Sequence, residues 1–186
     1  MVKAFQLTGQ TAVITGGGAG LGRAIARCLA QAGAEGVVVG RREGPLKETA
    51  AELGDAARWM IHDVTDLDGA EALAGRVREE VGPVHILVNN AGVHLKKPAL
   101  ETTSEELSAI MRTHLLGGHA LTRALAPDMV ARGEGCVLFI TSMAAIFGIP
   151  GVAAYGAAKA ACLGMDRTLA VELSPRGVRV NAIAPG

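Results

Sequence analysis

The chain has 186 residues, with 18 acidic and 18 basic side chains and no formal net charge. Hydrophobic residues make up 49% and charged ones 19%, a globular composition long enough for one domain, residues 1–186, with a real core. That balance gives no electrostatic argument for a nucleic-acid or membrane partner, no apolar run approaches a membrane span, and the start, MVKAFQLTGQ, lacks the apolar stretch of a signal peptide.

Thr11–Thr15 (TAVIT) predicts a first strand, which runs straight into Gly16-Gly17-Gly18-Ala19-Gly20-Leu21-Gly22 and then an alanine-rich helix ending at Gly33. Strand, glycine turn, helix is the context that gives a glycine fingerprint meaning. Glycines let a pyrophosphate approach the main chain, and the helix start beyond offers free N–H groups and a positive dipole end. Gly36–Val39 predicts the second strand, followed by Gly40-Arg41-Arg42. The residue at this tip meets the adenosine ribose in such folds. Arginine there suits a 2′-phosphate through charge-assisted contacts, so Arg41 argues for NADP over NAD; decoration of a solvated loop is the bland alternative.

A helix over Glu43–Leu53 and a third strand over Ala57–His62 lead to Asp63-Val64, placed to contact adenine or to serve as a cap or turn. A helix over Asp66–Val81 is broken by Gly82-Pro83. The fourth strand, Ile86–Val88, ends in Asn89-Asn90-Ala91-Gly92. Such asparagines often only knit strands together, while small Ala91 and Gly92 leave room for a cofactor. Ser104 with Glu105 and Glu106 starts a long helix to about Arg132, with a bend expected at Pro127. Cys136–Ile140 is the fifth strand and delivers Thr141 and Ser142. A helix carrying Tyr155 runs to about Ser174, and Arg179–Ile183 is the sixth strand, before Pro185-Gly186. Regular alternation of strand and helix predicts an α/β fold: a Rossmann-type, doubly wound parallel sheet in three layers. Cys28, Cys136 and Cys162 are dispersed, read as reduced core thiols of a cytoplasmic protein. The five histidines have no metal-ligand spacing.

Ser142, Tyr155 and Lys159 carry the chemistry. Tyr155 and Lys159 stand four apart, on one face of a helix. A phenol is a weak acid, and a nearby ammonium favours its ionised form, making it usable in proton transfer near neutrality. The Ser142 hydroxyl can reach the same substrate oxygen across a loop. This set suits a reaction in which a carbonyl oxygen gains or loses a proton while a hydride moves at carbon, and a hydride needs a cofactor.

With these motifs together, the chain resembles the short-chain dehydrogenase/reductase family: Thr15-Gly16-x-x-x-Gly20-Leu21-Gly22, Asp63-Val64, Asn89-Asn90-Ala91-Gly92, Ser142 with Tyr155-x-x-x-Lys159, Asn181 and Pro185-Gly186 stand in the family's order. The resemblance implies NADP, with NAD as the alternative, bound by the Gly16, Gly18, Gly20, Leu21 and Gly22 turn and by Arg41, Asp63, Val64, Asn90, Ala91 and Gly92. It implies Tyr155 as acid/base and as a cofactor contact, Ser142 positioning the substrate oxygen, and Lys159 assisting the tyrosine and holding the nicotinamide ribose. His114 stands where the family has an asparagine that helps hold a relay water.

Family members also continue past Pro-Gly with a further strand and a substrate lid, so the chain reads either as a fragment of a longer enzyme or as a short form lacking both. The alternative to an oxidoreductase of small or medium ketones and secondary alcohols is therefore a non-catalytic dinucleotide-binding or interaction module. The resemblance further implies a homodimer or homotetramer, joined through the two long helices with Ala157, Ala158, Ala160 and Ala161 allowing close contact. Met143, Ile146, Phe147 and His94 suit a partly apolar substrate pocket, and ordinary packing explains them equally well.

Overall fold

The computed structural model describes residues 5–55 and 57–186. Six parallel strands form one sheet: β1 (Thr11–Thr15), β2 (Glu35–Gly40), β3 (Arg58–Ile61), β4 (Ile86–Asn89), β5 (Gly135–Ile140) and β6 (Val178–Ile183). Their order across the sheet is β3-β2-β1-β4-β5-β6. The central strands are continuous apolar runs because helices cover both faces, so both sets of alternating side chains are buried. Val13 in β1 pairs with Val37 of β2 on one side and Leu87 of β4 on the other, and all three are fully buried.

The two-residue strand period separates two cores. Ala12, Ile14, Val38 and Val88 face α1 (Gly20–Gln31) and α2 (Glu43–Leu53), where Ala26, Leu46 and Ala50 meet them. Val13, Val37, Leu87 and Val137 face the opposite layer. There α3 (Ala70–Glu80) contributes Leu73 and Val77, and α5 (Gly117–Arg132) contributes Leu121 and Leu125. The last long helix, α6 (Ala153–Leu173), adds Met165 and Leu169 at the rim of this second core. With few aromatics, Val, Leu and Ala do fill the interior, as the composition implies.

The chain passes from β1 outward to β3, then returns to place β4 on the other side of β1. This reversal leaves a crevice at the carboxyl ends of β1 and β4, where ligands bind in open α/β sheets. Every predicted strand and helix is found, with ends moved by a few residues.

Three expectations change. The helix from Ser104 has its irregularity at Arg112–Leu116, a π turn between α4 (Ser104–Met111) and α5, while Pro127 lies within α5. Cys28 is exposed and Cys136 half-buried, so only Cys162 is a core thiol; all three are free. Ala158 is fully buried within the chain against Ile110 and Ala154, which leaves Ala157 and Ala160 on the outer face of α6.

Among the described residues, no helix is long and apolar enough to cross a membrane. Nor does any group of three His, Cys, Asp or Glu side chains among them offer a metal site.

Candidate active site

One cleft of about 620 Å³ runs along the carboxyl edge of the sheet, from Arg41 past the glycine turn to Ser142 and Tyr155. Its middle is made of main chain. Gly16 and Gly20 adopt left-handed backbone, with φ of 66° and 51°, which L side chains rarely do. At Gly22 a Cβ would collide with the Gly16 carbonyl and with the Asn90 amide. Helix α1 starts at Gly20 with no side-chain cap and no acidic residue in its first turn. Its first N–H groups are therefore left for a ligand, and the dipole favours an anion.

Thr15 holds this middle in place. Its hydroxyl accepts from the Asn90 and Ala91 N–H groups at 3.0 and 2.9 Å and donates to Val88 O. The Asn90 amide in turn donates to Thr15 O at 2.8 Å. Asn90 thus knits β1 to the end of β4 while lining the cleft. Asn89 donates to Thr122 at 3.2 Å and faces away from it.

At one end, Arg41 and Asp63 lie 3.6 Å apart across the mouth, both substantially exposed. Asp63 also accepts from the Thr65 N–H and hydroxyl at 2.9 and 2.8 Å. That backbone hydrogen bond is the main reason its carboxyl titrates below the usual carboxylate range. Asp63 is a turn residue and a wall of the cleft together. Val64 and Leu21 line the same space. His62, not singled out by its type alone, lines this end too, with Nε2 buried and unpartnered. Its place beside Asp63, at the carboxyl end of β3, is the signal that could have found it.

At the other end, Ser142, Tyr155, Lys159 and His114 come together although three elements supply them. Ser142 caps a short turn after β5, its Oγ accepting from Ala144 N–H at 3.1 Å. Tyr155 lies in the first turn of α6 and Lys159 one turn on. Lys159 is buried, and its Nζ donates to Ile140 O at 2.6 Å. Its Nζ stands 5.6 Å from the centre of the Tyr155 ring, and burial lowers its pKa. The chain end folds over this region: Met143 N–H donates to Pro185 O at 3.0 Å, and Pro185 and Gly186 close the cleft wall.

His114 sits in the π turn, an irregularity that recurs at functional sites. Its ring stands edge to face with Tyr155, centroids 5.4 Å apart. Gly92 makes room for it, since a Cβ there would lie 2.5 Å from the imidazole. The smallness of Gly92 thus serves His114 as much as any ligand. A single atom, Nε2, lies 2.8 Å from Val93 O and 3.2 Å from Val93 N. A neutral imidazole nitrogen either donates or accepts, so it can satisfy only one of them, and the buried Nδ1 has no partner. Burial first, then Lys159, lowers the His114 pKa to about 4, which keeps the ring neutral near pH 7.

Comparison with known proteins identifies the family. A family model described as short chain dehydrogenase matches residues 10–186. This chain belongs to the short-chain dehydrogenase family. Among its relatives, the 3-oxoacyl-(acyl-carrier-protein) reductase FabG of Vibrio cholerae is 36% identical over 182 residues, covering 98% of this chain and 75% of that one. Galactitol 2-dehydrogenase (L-tagatose-forming) of Cereibacter sphaeroides is 40% identical over 185 residues, covering 98% and 72%. A solved structure from Beutenbergia cavernae, assigned as an NAD(P)-dependent gluconate 5-dehydrogenase and holding NADP at low occupancy, superposes with a TM-score of 0.92 at 40% identity. It covers 98% of this chain and 74% of that one.

The chain is thus a short-chain dehydrogenase/reductase with the family's Rossmann-type fold. The residues present fit a dinucleotide. Side chains are absent where a pyrophosphate needs main-chain contact, α1 presents an uncapped start, and cationic Arg41 stands at the far end.

Proposed function

We propose that this short-chain dehydrogenase/reductase works between NADP and a small or medium ketone or secondary alcohol. The observation that carries the reading is the convergence of Ser142, Tyr155 and Lys159 at one end of a cleft whose middle is the glycine turn. When bound, the nicotinamide supplies or takes the hydride. The remaining work belongs to the chain. Gly16, Gly18, Gly20, Leu21 and Gly22 hold the pyrophosphate against main-chain N–H groups. Asp63 and Val64 border the adenine, and Asn90, Ala91 and Gly92 border the middle of the cofactor.

In reduction, Tyr155 Oη gives its proton to the carbonyl oxygen; in oxidation it takes that proton back. Ser142 Oγ hydrogen-bonds the same oxygen. Lys159 places a charge beside the phenol and has donors beyond the one used on Ile140 to hold a ribose. His114 acts from behind, through its contact with the Tyr155 ring and its hold on Val93.

NADP is favoured over NAD because the residue directly after β2 is Arg41, with Arg42 beside it, rather than the carboxylate that would meet a free 2′-hydroxyl. Fluorescence titration tests this. Arg41→Ala weakens NADPH about tenfold, the scale of one charge-assisted contact, and changes NADH little. Equal loss for both cofactors refutes the assignment. Binding of both cofactors without turnover of any carbonyl by the wild-type chain supports the non-catalytic module instead.

Self-association through α5 and α6 belongs to the same reading. A groove of about 300 Å³ between them is floored by Ala126, Pro127, Leu169 and Leu173. A cytoplasmic location accompanies the reading, as the dispersed free cysteines suit a reducing compartment.

A further inference from the structure

His94 is the one histidine on the substrate side of the cleft that the chemistry above leaves unused. It lines the same wall as Ser142 and Tyr155. Its ring meets the Tyr155 ring edge to face, centroids 4.9 Å apart at 74°. Aromatic pairs in this arrangement attract beyond simple burial, so the contact orients the imidazole. His94 is nevertheless exposed, and among the described residues its nitrogens make no hydrogen bond.

The backbone that carries it is fixed on both sides. Behind it, Val93 is held by His114 Nε2 at 2.8 Å. Ahead of it, Lys97 N–H donates to Gly151 O at 2.7 Å, and Lys97 Nζ binds Glu106 at 2.9 and 3.0 Å. A side chain presented by a pinned loop and oriented by an aromatic neighbour is preorganised. Its nitrogens are without a partner among the described residues, on a ring that lines the cleft beside Tyr155.

We infer that His94 is a specificity-determining residue that hydrogen-bonds a second oxygen on the substrate, one or two carbons from the reacting carbonyl. The substrate class is an α-hydroxy or β-oxo carbonyl compound, or the matching alcohol, rather than a simple ketone. The inference rests on the proposal that Tyr155 serves the reacting oxygen. A ring packed against the phenol lies beside the carbons next to that oxygen, and neutral imidazole can either donate to a carbonyl or accept from a hydroxyl. No proton or electron moves at His94; its part is to bind.

Matched substrates test it. With NADPH, kcat/KM for 3-hydroxy-2-butanone and for ethyl acetoacetate is compared with that for 2-butanone, and the two oxygenated compounds separate the hydroxyl from the β-oxo case. The wild-type chain favours at least one oxygenated compound by roughly tenfold, the scale of one neutral hydrogen bond. His94→Phe keeps the aromatic contact and loses that ratio, whereas His94→Asn, which retains a donor and an acceptor, recovers part of it. An unchanged ratio in His94→Phe overturns the inference.

A binding arm separates this from the failure of the hydride-transfer reading. In Tyr155→Phe with NADP, 2,3-butanediol and ethyl 3-hydroxybutyrate are titrated against 2-butanol. Tighter binding of an oxygenated ligand that is lost on adding His94→Phe supports His94 even where no turnover is seen. Equal binding in both backgrounds refutes it.

Discussion

The middle of the cleft and its chemical end are built by opposite means. The middle is made of main chain and of side chains left out: Gly16 in left-handed backbone, Gly22 against the Gly16 carbonyl, and α1 starting without a cap. The chemical end is made of side chains brought in: Ser142 from the end of β5, Tyr155 and Lys159 from α6, and His114 from the π turn. A site of the first kind fails when atoms are added and one of the second kind fails when atoms are removed.

The largest expected effect lies at the chemical end. Lys159→Ala removes the charge beside Tyr155 and lowers kcat by about a thousandfold, in the range of general acid–base contributions. Loss of less than tenfold means that the phenol works without the ammonium.

Gly22→Ala breaks the middle by addition. The new methyl group meets the Gly16 carbonyl and the Asn90 amide, so the fold loses on the order of 3 kcal/mol, the upper scale of overpacking. Denaturant titration reads the loss, and nucleotide affinity falls with it. An alanine variant as stable as the wild type would show that the turn is looser than described.

His114 yields a smaller effect with a definite sign. Its folded pKa of about 4 lies below its ordinary value of 6.5, so between those values the unfolded chain binds the proton and the folded chain does not. Stability is then lost as pH falls from 6.5 towards 4, by about 2 kcal/mol at pH 4.5. His114→Asn removes that contribution and flattens the stability–pH curve over this window. His62 is shifted in the same stabilising-at-neutral sense, so part of the slope survives, while the lowered Asp63 adds its own loss mainly below its ordinary value of 3.8. A slope unchanged by His114→Asn would show that His114 does not carry it.

The same contrast explains what could be read from the amino-acid order. The glycine turn is local: seven consecutive residues between a β-branched strand and an alanine-rich helix specify it. Tyr155 and Lys159 are legible because one helix turn separates them. Ser142 joins them only through the parallel pairing of β5 and the fold-over of Pro185, which is a tertiary fact.

The π turn at Arg112–Leu116 has no sequence marker, whereas Pro127, which suggests a bend, lies inside α5. The room that Gly92 leaves is filled by the His114 ring, a contact 22 residues apart in the chain that no local pattern marks. Cys28 reads as a core thiol from its apolar neighbours, yet it lies on the exposed face of an amphipathic helix; position on the face, not composition, decides exposure.

The central claim is that one cleft binds the dinucleotide by its main-chain middle and acts through Tyr155 at its side-chain end. The most direct measurement takes wild-type chain and Tyr155→Phe side by side, titrating NADPH by fluorescence and following NADPH consumption with a carbonyl substrate. The account predicts nearly equal NADPH affinity in the two proteins and turnover that falls at least a hundredfold in the variant, since only the proton donor is lost. Turnover that survives the loss of the hydroxyl would contradict it.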